Sequence, residues 1–426
     1  LPGLVGHLVV MPDVYVGQGA PVGIVAATKY PVGVVAPGAI GHDVNVGVRL
    51  LGSSIVAEDL GDDDLEALAD ALQAHIPTGT DAEGSLQLTL SEVDHVAQSG
   101  AQWALRKNLA KQDDLVRAEE GGRLNDADPS KVSDAARALG AKQLGTLGGG
   151  EHFIEILVVE EVFNRAAALT MGLKENTLVA QIHCGSRGYG RQICADYIER
   201  FREAAPRYGV EPPSPDLACV PLDSKEAEDY MGAMCAAANF AYANRQVLAH
   251  RVREAFNEAL DGQGDELHTI YDVAHNLGQV EMHQVEGRHM RCYVHRKGAA
   301  RAFGPGTPGI SLPYRALGQP VLVPGSMGET SWVLLATRGS MQISFGSACH
   351  GAGHVMSRHE VSRRDGVAAL DDDLEAQDVP VRSGNGTVAA GGVQVKEDVD
   401  AVVDTVVGAG IAGKVARLRP VAVVHG

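Results

Sequence analysis

Apolar positions along the chain follow two different periods, and the alternation between them sets the expected fold. The first fifty residues are short runs rich in Val and Gly, such as Leu8-Val9-Val10-Met11 and Gly23-Ile24-Val25-Ala26-Ala27, broken by Gly and Pro. Runs of this kind predict buried strands joined by tight turns. The period changes over 62–76, where Leu65, Leu68 and Leu72 share one helical face behind an Asp-rich start. Helices are also predicted over 101–120, 131–140, 190–205, 226–262 and 398–408, with a loop over 121–129. Strands are predicted over 153–159, 177–182, 267–285, 290–296, 321–324, 331–336, 393–395 and 421–424, and 303–325 reads mainly as loop. Helices and strands intermix without a βαβ rhythm, internal repeat or long linker. The expectation is therefore α+β, one large domain over 1–426 with mixed sheets flanked by helices.

Composition narrows the class. Hydrophobic content of 45% and charged content of 21% are ordinary for a soluble globular protein of 426 residues. The 51 glycines with only 4% aromatics point to tight turns and close backbone contacts, not a bulky aromatic core. No apolar run approaches membrane-spanning length. The start, Leu1-Pro2-Gly3-Leu4-Val5, has no charged n-region and no cleavage pattern, and it lacks an initiating Met, so preceding residues are expected to be missing. Six cysteines without CxxC spacing predict free thiols in a reducing, cytoplasmic setting. A net charge of −18 argues against nucleic acid binding by the whole surface, which leaves a local basic groove as the alternative.

Candidate chemistry centres on four histidines set among small residues: His152 after Gly148-Gly149-Gly150-Glu151, His183 before Cys184-Gly185-Ser186, His275 in Ala274-His275-Asn276, and His350 before Gly351-Ala352-Gly353. Several end or follow predicted strands, where loops converge on pockets. Asp43 adds a carboxylate in a similar setting. One Asp with three His suits Mn²⁺ or Zn²⁺, and on composition alone a metallohydrolase fits equally. The Gly325-Ser326-Met327-Gly328 loop with Ser331 offers amide and hydroxyl donors to a phosphate or base, or is a plain turn. Arg187, Arg296, Lys297, Arg301 and Arg358 lie beside these motifs and would supply an anion-binding groove, unless they merely face solvent.

Taken in order, the motifs resemble those of RtcB-type RNA-splicing ligases, from Met11-Pro12-Asp13 to the C-terminus. The matching segments are Pro37-Gly38-Ala39-Ile40-Gly41 with Asp43, Leu144-Gly145-Thr146-Leu147-Gly148-Gly149-Gly150, His152-Phe153-Ile154-Glu155, Gly185-Ser186-Arg187-Gly188, Ala274-His275-Asn276, His295-Arg296-Lys297-Gly298-Ala299, Pro324-Gly325-Ser326-Met327-Gly328 and His350-Gly351-Ala352-Gly353. The resemblance implies GTP- and Mn²⁺-dependent joining of RNA 3′-phosphate or 2′,3′-cyclic phosphate ends to 5′-hydroxyl ends, in tRNA splicing or RNA repair. His350 would carry GMP and pass it to the RNA as an RNA-ppG end. Asp43, His152, His183 and His275 match ligands of two Mn²⁺ ions. Glu151, Phe153, Glu155, Asn276, Pro324, Gly325, Ser326, Met327, Ser331, Gly351, Ala352, Gly353 and His425 match the guanylate pocket. Arg187, Lys297 and Arg358 match RNA contacts. An archease-type activator is an expected partner and a membrane is not.

Five positions depart from the family pattern. A metal-bridging cysteine is here Val46, an asparagine is Glu151, an arginine is His354, a lysine is His425 and a histidine is Tyr15. Three outcomes follow: ligation with other donors such as Glu151 or Cys184, binding of GTP or RNA ends without ligation, or a partial reaction such as guanylylation.

Overall fold

The computed structural model describes residues 1–79, 81–325, 329–352, 379–383 and 398–426. Its centre is an eight-stranded sheet. Seven strands run in the spatial order Pro320–Val323, Ser331–Ala336, Ala412–His425, Phe153–Val162, Thr177–Cys184, Gly47–Val56 and His268–Ala274, all antiparallel, and Val381–Ser383 pairs parallel with Ala412–His425. The middle strands are buried almost throughout, because apolar layers cover both faces. One layer gathers Leu248, Val252 and Phe256 of a long helix with Leu68 and Leu72 of the helix Asp62–His75. The other packs Trp332, Tyr314 and the helix Val399–Gly408 against the opposite face. A second, four-stranded antiparallel sheet orders Val9–Tyr15, Val22–Lys29, Arg288–Lys297 and Asn276–Val285.

Register places the chemistry. Gly47 pairs with both Cys184 and Ala274, and Phe153 pairs with both His183 and His425. Asp43, His152, His183 and His275 therefore emerge at one end of the central sheet, from four different strands. His275 is also the hinge between the sheets, since the strand on its N-terminal side belongs to one and the strand on its C-terminal side to the other.

The α+β class and mixed sheets with flanking helices are as expected. Boundaries differ in informative ways. The segment predicted as one helix over 101–120 is two short ones, Ala101–Arg106 and Gln112–Val116, because the backbone turns left-handed at Asn108 (φ 60°) and again at Glu120 (φ 52°). That second turn lets buried Glu119 accept from Ala274 N at 3.0 Å, one residue before His275. Helices Leu90–Ser99 and Arg165–Met171 go unpredicted although Thr89 and Asn164 cap them. The span 267–285 is two strands broken at His275, and the last strand runs the full 412–425, not only 421–424. The predicted strand at 393–395 lies outside the described residues.

Candidate active site at the end of the central sheet

Asp43 is held from two sides. Its Oδ1 accepts from Ser186 N at 2.8 Å and Ser186 Oγ at 3.0 Å, and its Oδ2 lies 2.9 Å from His152 Nε2. A Cβ on Gly185 would sit 2.3 Å from Asp43 Oδ1, so only glycine allows this approach. Burial alone would raise the Asp43 carboxyl, but the hydrogen bond and charge of His152, with Arg187 and Ser186, hold it below its ordinary value. Burial pulls His152 down, and its Cys184 and Asp43 neighbours outweigh that and push it up.

The rear nitrogens of two histidines meet backbone carbonyls. His152 Nδ1 lies 2.9 Å from Leu147 O, and His183 Nδ1 lies 2.9 Å from Glu151 O. The carbonyl behind His183 keeps the proton on Nδ1 and turns the Nε2 lone pair forward, the tautomer a metal ligand needs, whereas His152 Nδ1 also meets the Arg187 guanidinium at 2.7 Å. His183 Nε2 then faces His275 Nε2 at 3.3 Å. Burial, then neighbouring His152, lowers His183 to about 3, and burial with His350 and His183 close by lowers His275 well below its usual value. With His183 Nδ1–H on its carbonyl, a neutral His275 can donate Nε2–H across this gap, and two nitrogens each ~2.1 Å from one ion would be similarly spaced.

The donor chemistry fits a divalent ion, with Asp43 and His152 as one pair and His183 and His275 as the other. Among the described residues, no three His, Cys, Asp or Glu groups gather closely enough to form a cage on their own. Val46 is buried, and its carbonyl accepts from His275 N at 3.0 Å while its side chain offers no donor. Cys184 does not fill the gap. Its Sγ lies 3.7 Å from His152 Nδ1, behind the ring and away from Asp43.

His350 completes the row. Ring centroids are separated by 5.9 Å for His152 and His183, 5.1 Å for His183 and His275, and 4.8 Å for His275 and His350. Behind His350 stands a carboxylate. His350 Nδ1–H donates to Asp13 Oδ2 at 2.6 Å, and the His350 and Gly351 amides donate to the same oxygen at 2.8 and 3.3 Å. Asp13 is fully buried, and its Oδ1 has no hydrogen-bond partner among the described residues. With Nδ1 committed, Nε2 is the nitrogen that carries the lone pair. Sequence reading gave Asp13 no role; its only signal is its place in the first matching motif.

Comparison with known proteins gives the family. The profile of one family, described as tRNA-splicing ligase RtcB, matches residues 1–426. The chain belongs to the RtcB tRNA-splicing ligase family. The protein named tRNA-splicing ligase RtcB of Archaeoglobus fulgidus is 44% identical over all of this chain and 89% of its own length. Those of Thermococcus kodakarensis and Pyrobaculum aerophilum are each 42% identical with the same coverage.

The remaining residues suggested by the RtcB likeness are placed as follows. Glu155, Ser331 and Gly325 meet through Gln181, whose Nε2 lies 3.3 Å from Glu155 Oε2 and 3.2 Å from Ser331 Oγ, while Gly325 N donates to Ser331 Oγ at 3.1 Å. Gln181 is a residue that sequence reading missed. Phe153 lies against His183 at 5.1 Å between ring centroids, and Gly426 N donates to His152 O beside His425. Asn276 braces the site, donating to Asp43 O at 3.2 Å and accepting from Gly298 N at 2.8 Å. A Cβ on Gly351 would lie 3.3 Å from Pro324 O, and Ala352 is buried beside it. Ser326, Met327, Gly353, His354 and Arg358 lie outside the described residues.

The expected basic groove needs correction. Lys297 is buried with Nζ on the Gln18, Ala20 and Gly38 carbonyls at 2.5, 2.7 and 3.2 Å, so its three donors are spent internally. Arg296 pairs with Glu281, and Arg301 pairs with Glu119 and Glu120. Arg187 is buried with Nη1 2.7 Å from His152 Nδ1, and it starts its helix at φ 56°. A Cβ on Gly148 would collide with the Arg187 guanidinium. A buried cation must find acceptors inside the fold, and these do.

Proposed function

We propose that the chain is a GTP-dependent RNA ligase that joins RNA 3′-phosphate ends, supplied directly or by opening of a 2′,3′-cyclic phosphate, to 5′-hydroxyl ends in tRNA splicing or RNA repair. The observation that carries this reading is the Asp13–His350 pair standing in one row with His275, His183 and His152. His350 Nε2 attacks the α-phosphorus of GTP. The P–N bond forms as the bond to pyrophosphate breaks, and buried Asp13 stabilises the positive charge that develops on the ring. The RNA 3′-phosphate oxygen then takes the guanylyl group from His350, giving an RNA-ppG end, and the 5′-hydroxyl displaces GMP. Glu155 and Ser331 would belong to the guanylate pocket, tied to each other through Gln181, with Ser331 also held by the Gly325 amide.

Asp43, His152, His183 and His275 would hold Mn²⁺, which when bound supplies charge neutralisation at the phosphates. An archease-type activator and a cytoplasmic location belong to the same proposal. Among the described residues no helix is long and apolar enough to cross a membrane.

A second reading is favoured by Val46 and the division of the donors into two pairs: the chain guanylylates itself, or binds GTP and RNA ends, without sealing. One assay separates the two. A tRNA stem-loop cleaved to carry a 3′-phosphate and a 5′-hydroxyl is incubated with protein, GTP and Mn²⁺. Sealed product establishes ligation. A guanylylated protein with no sealed RNA supports the second reading.

A further inference from the structure

The long helix Lys225–Ala259 carries Asn244 and Arg245 side by side, both fully buried. Asn244 Oδ1 accepts from Gly145 N at 2.7 Å, and its Nδ2 lies 3.1 Å from Thr146 O and 3.2 Å from Gly185 O. Arg245 Nη1 donates to Asn45 O at 2.6 Å and Cys184 O at 3.0 Å, while Nη2 donates to Asp272 Oδ1 at 2.8 Å. Each acceptor lies on a segment that delivers a site residue. Gly145 and Thr146 open the loop to His152, and Cys184 and Gly185 directly follow His183. Asn45 lies just past Asp43, and Asp272 lies just before His275. Two adjacent side chains thus touch all four segments, which are far apart in sequence.

Stability alone does not explain this pair. Asp272 is shared between Arg245 and Arg49, whose Nε lies 2.7 Å away, and all three are fully buried. Desolvation offsets most of the attraction in such a cluster, and apolar residues of similar volume stabilise as well. What an apolar residue cannot reproduce is a rigid fork that fixes two carbonyls on different loops. We propose that Asn244 and Arg245 are positioning residues that set the spacing of Asp43, His152, His183 and His275 by holding their loops. This rests on the metal-site reading above.

Asn239 supplies the control. It lies on the same helix, is fully buried, accepts from Leu124 N at 2.7 Å and donates to Ala97 O and Leu124 O at 2.8 and 3.0 Å, but neither residue adjoins the site. Asn244→Ala and Asn239→Ala should lower Tm comparably. Amide hydrogen exchange in metal-free protein should speed up over 144–152 and 183–186 in Asn244→Ala, and around 97 and 124 in Asn239→Ala. Calorimetric titration with Mn²⁺ alone should show roughly 10- to 100-fold weaker binding for Asn244→Ala, the scale set by loss of a group that orients a ligand. Asn239→Ala should bind as the unaltered chain does. Arg245→Lys keeps the charge beside Asp272 and loses the fork, so it should behave as Asn244→Ala and serves if that variant does not fold. Unchanged Mn²⁺ affinity in both site variants, or an equal loss in Asn239→Ala, overturns the proposal. If the unaltered chain binds no divalent ion, the metal reading fails instead, and the exchange pattern decides the positioning role by itself.

Discussion

His183 and His350 belong to one row of imidazoles, yet different groups stand behind them. The Glu151 carbonyl holds His183 Nδ1, whereas the Asp13 carboxylate holds His350 Nδ1. A carbonyl fixes the tautomer and adds no charge, so the ring remains a neutral lone-pair donor, in keeping with the low value that burial gives His183. A carboxylate also fixes the tautomer, but it stabilises a ring that turns cationic. Under the proposed function the same side chain would take two roles, ligand and nucleophile, according to what lies on its far side.

That contrast is tested first where it is greatest. Asp13→Asn keeps the shape and removes the charge, and guanylylation measured in a single turnover should fall by roughly 10³- to 10⁴-fold, as when a carboxylate behind a catalytic histidine becomes an amide. Mn²⁺ affinity of the same variant should be unchanged. His183→Ala reverses the pattern, with Mn²⁺ affinity by calorimetry falling beyond the ~10- to 100-fold that follows loss of a supporting group. Val46→Cys adds a thiolate beside the His275 segment and should tighten divalent binding. With Co²⁺ it should bring a sulfur charge-transfer band, at a stability cost below about 1.5 kcal/mol for a swap of near-equal volume. The smallest functional effect belongs to Lys297→Met. RNA affinity and its salt dependence should be unchanged, while chemical denaturation shows a loss of about 1–3 kcal/mol from three buried carbonyls left without their donor.

Much of this was legible in the sequence, for definable reasons. The strands of the central sheet are buried on both faces and read as continuous apolar runs, and the long helix 226–262 has few breaks. The four glycine-nested histidines suggested one shared site, and their rings do form a row. Four things were not legible. Asp13 lies 337 positions from His350, and no local pattern announces that pairing. Asn244 and Arg245 look like ordinary helix residues until the loops they hold are in place. Gln181 alternates with apolar neighbours as any strand residue does. The basic residues around 296–301 carry a sequence signal identical to that of a surface groove, and only the fold shows their charges turned inward to Glu281, Glu119 and the backbone.

The assignment of His350 as nucleophile is open to one direct measurement. The protein is incubated with GTP and Mn²⁺, and its intact mass and proteolytic peptides are then determined, with acid and alkali stability of any adduct. An acid-labile, alkali-stable gain of one GMP on His350, absent from His350→Ala, is predicted. No adduct across a series of divalent ions, or a GMP on any other residue, would contradict it.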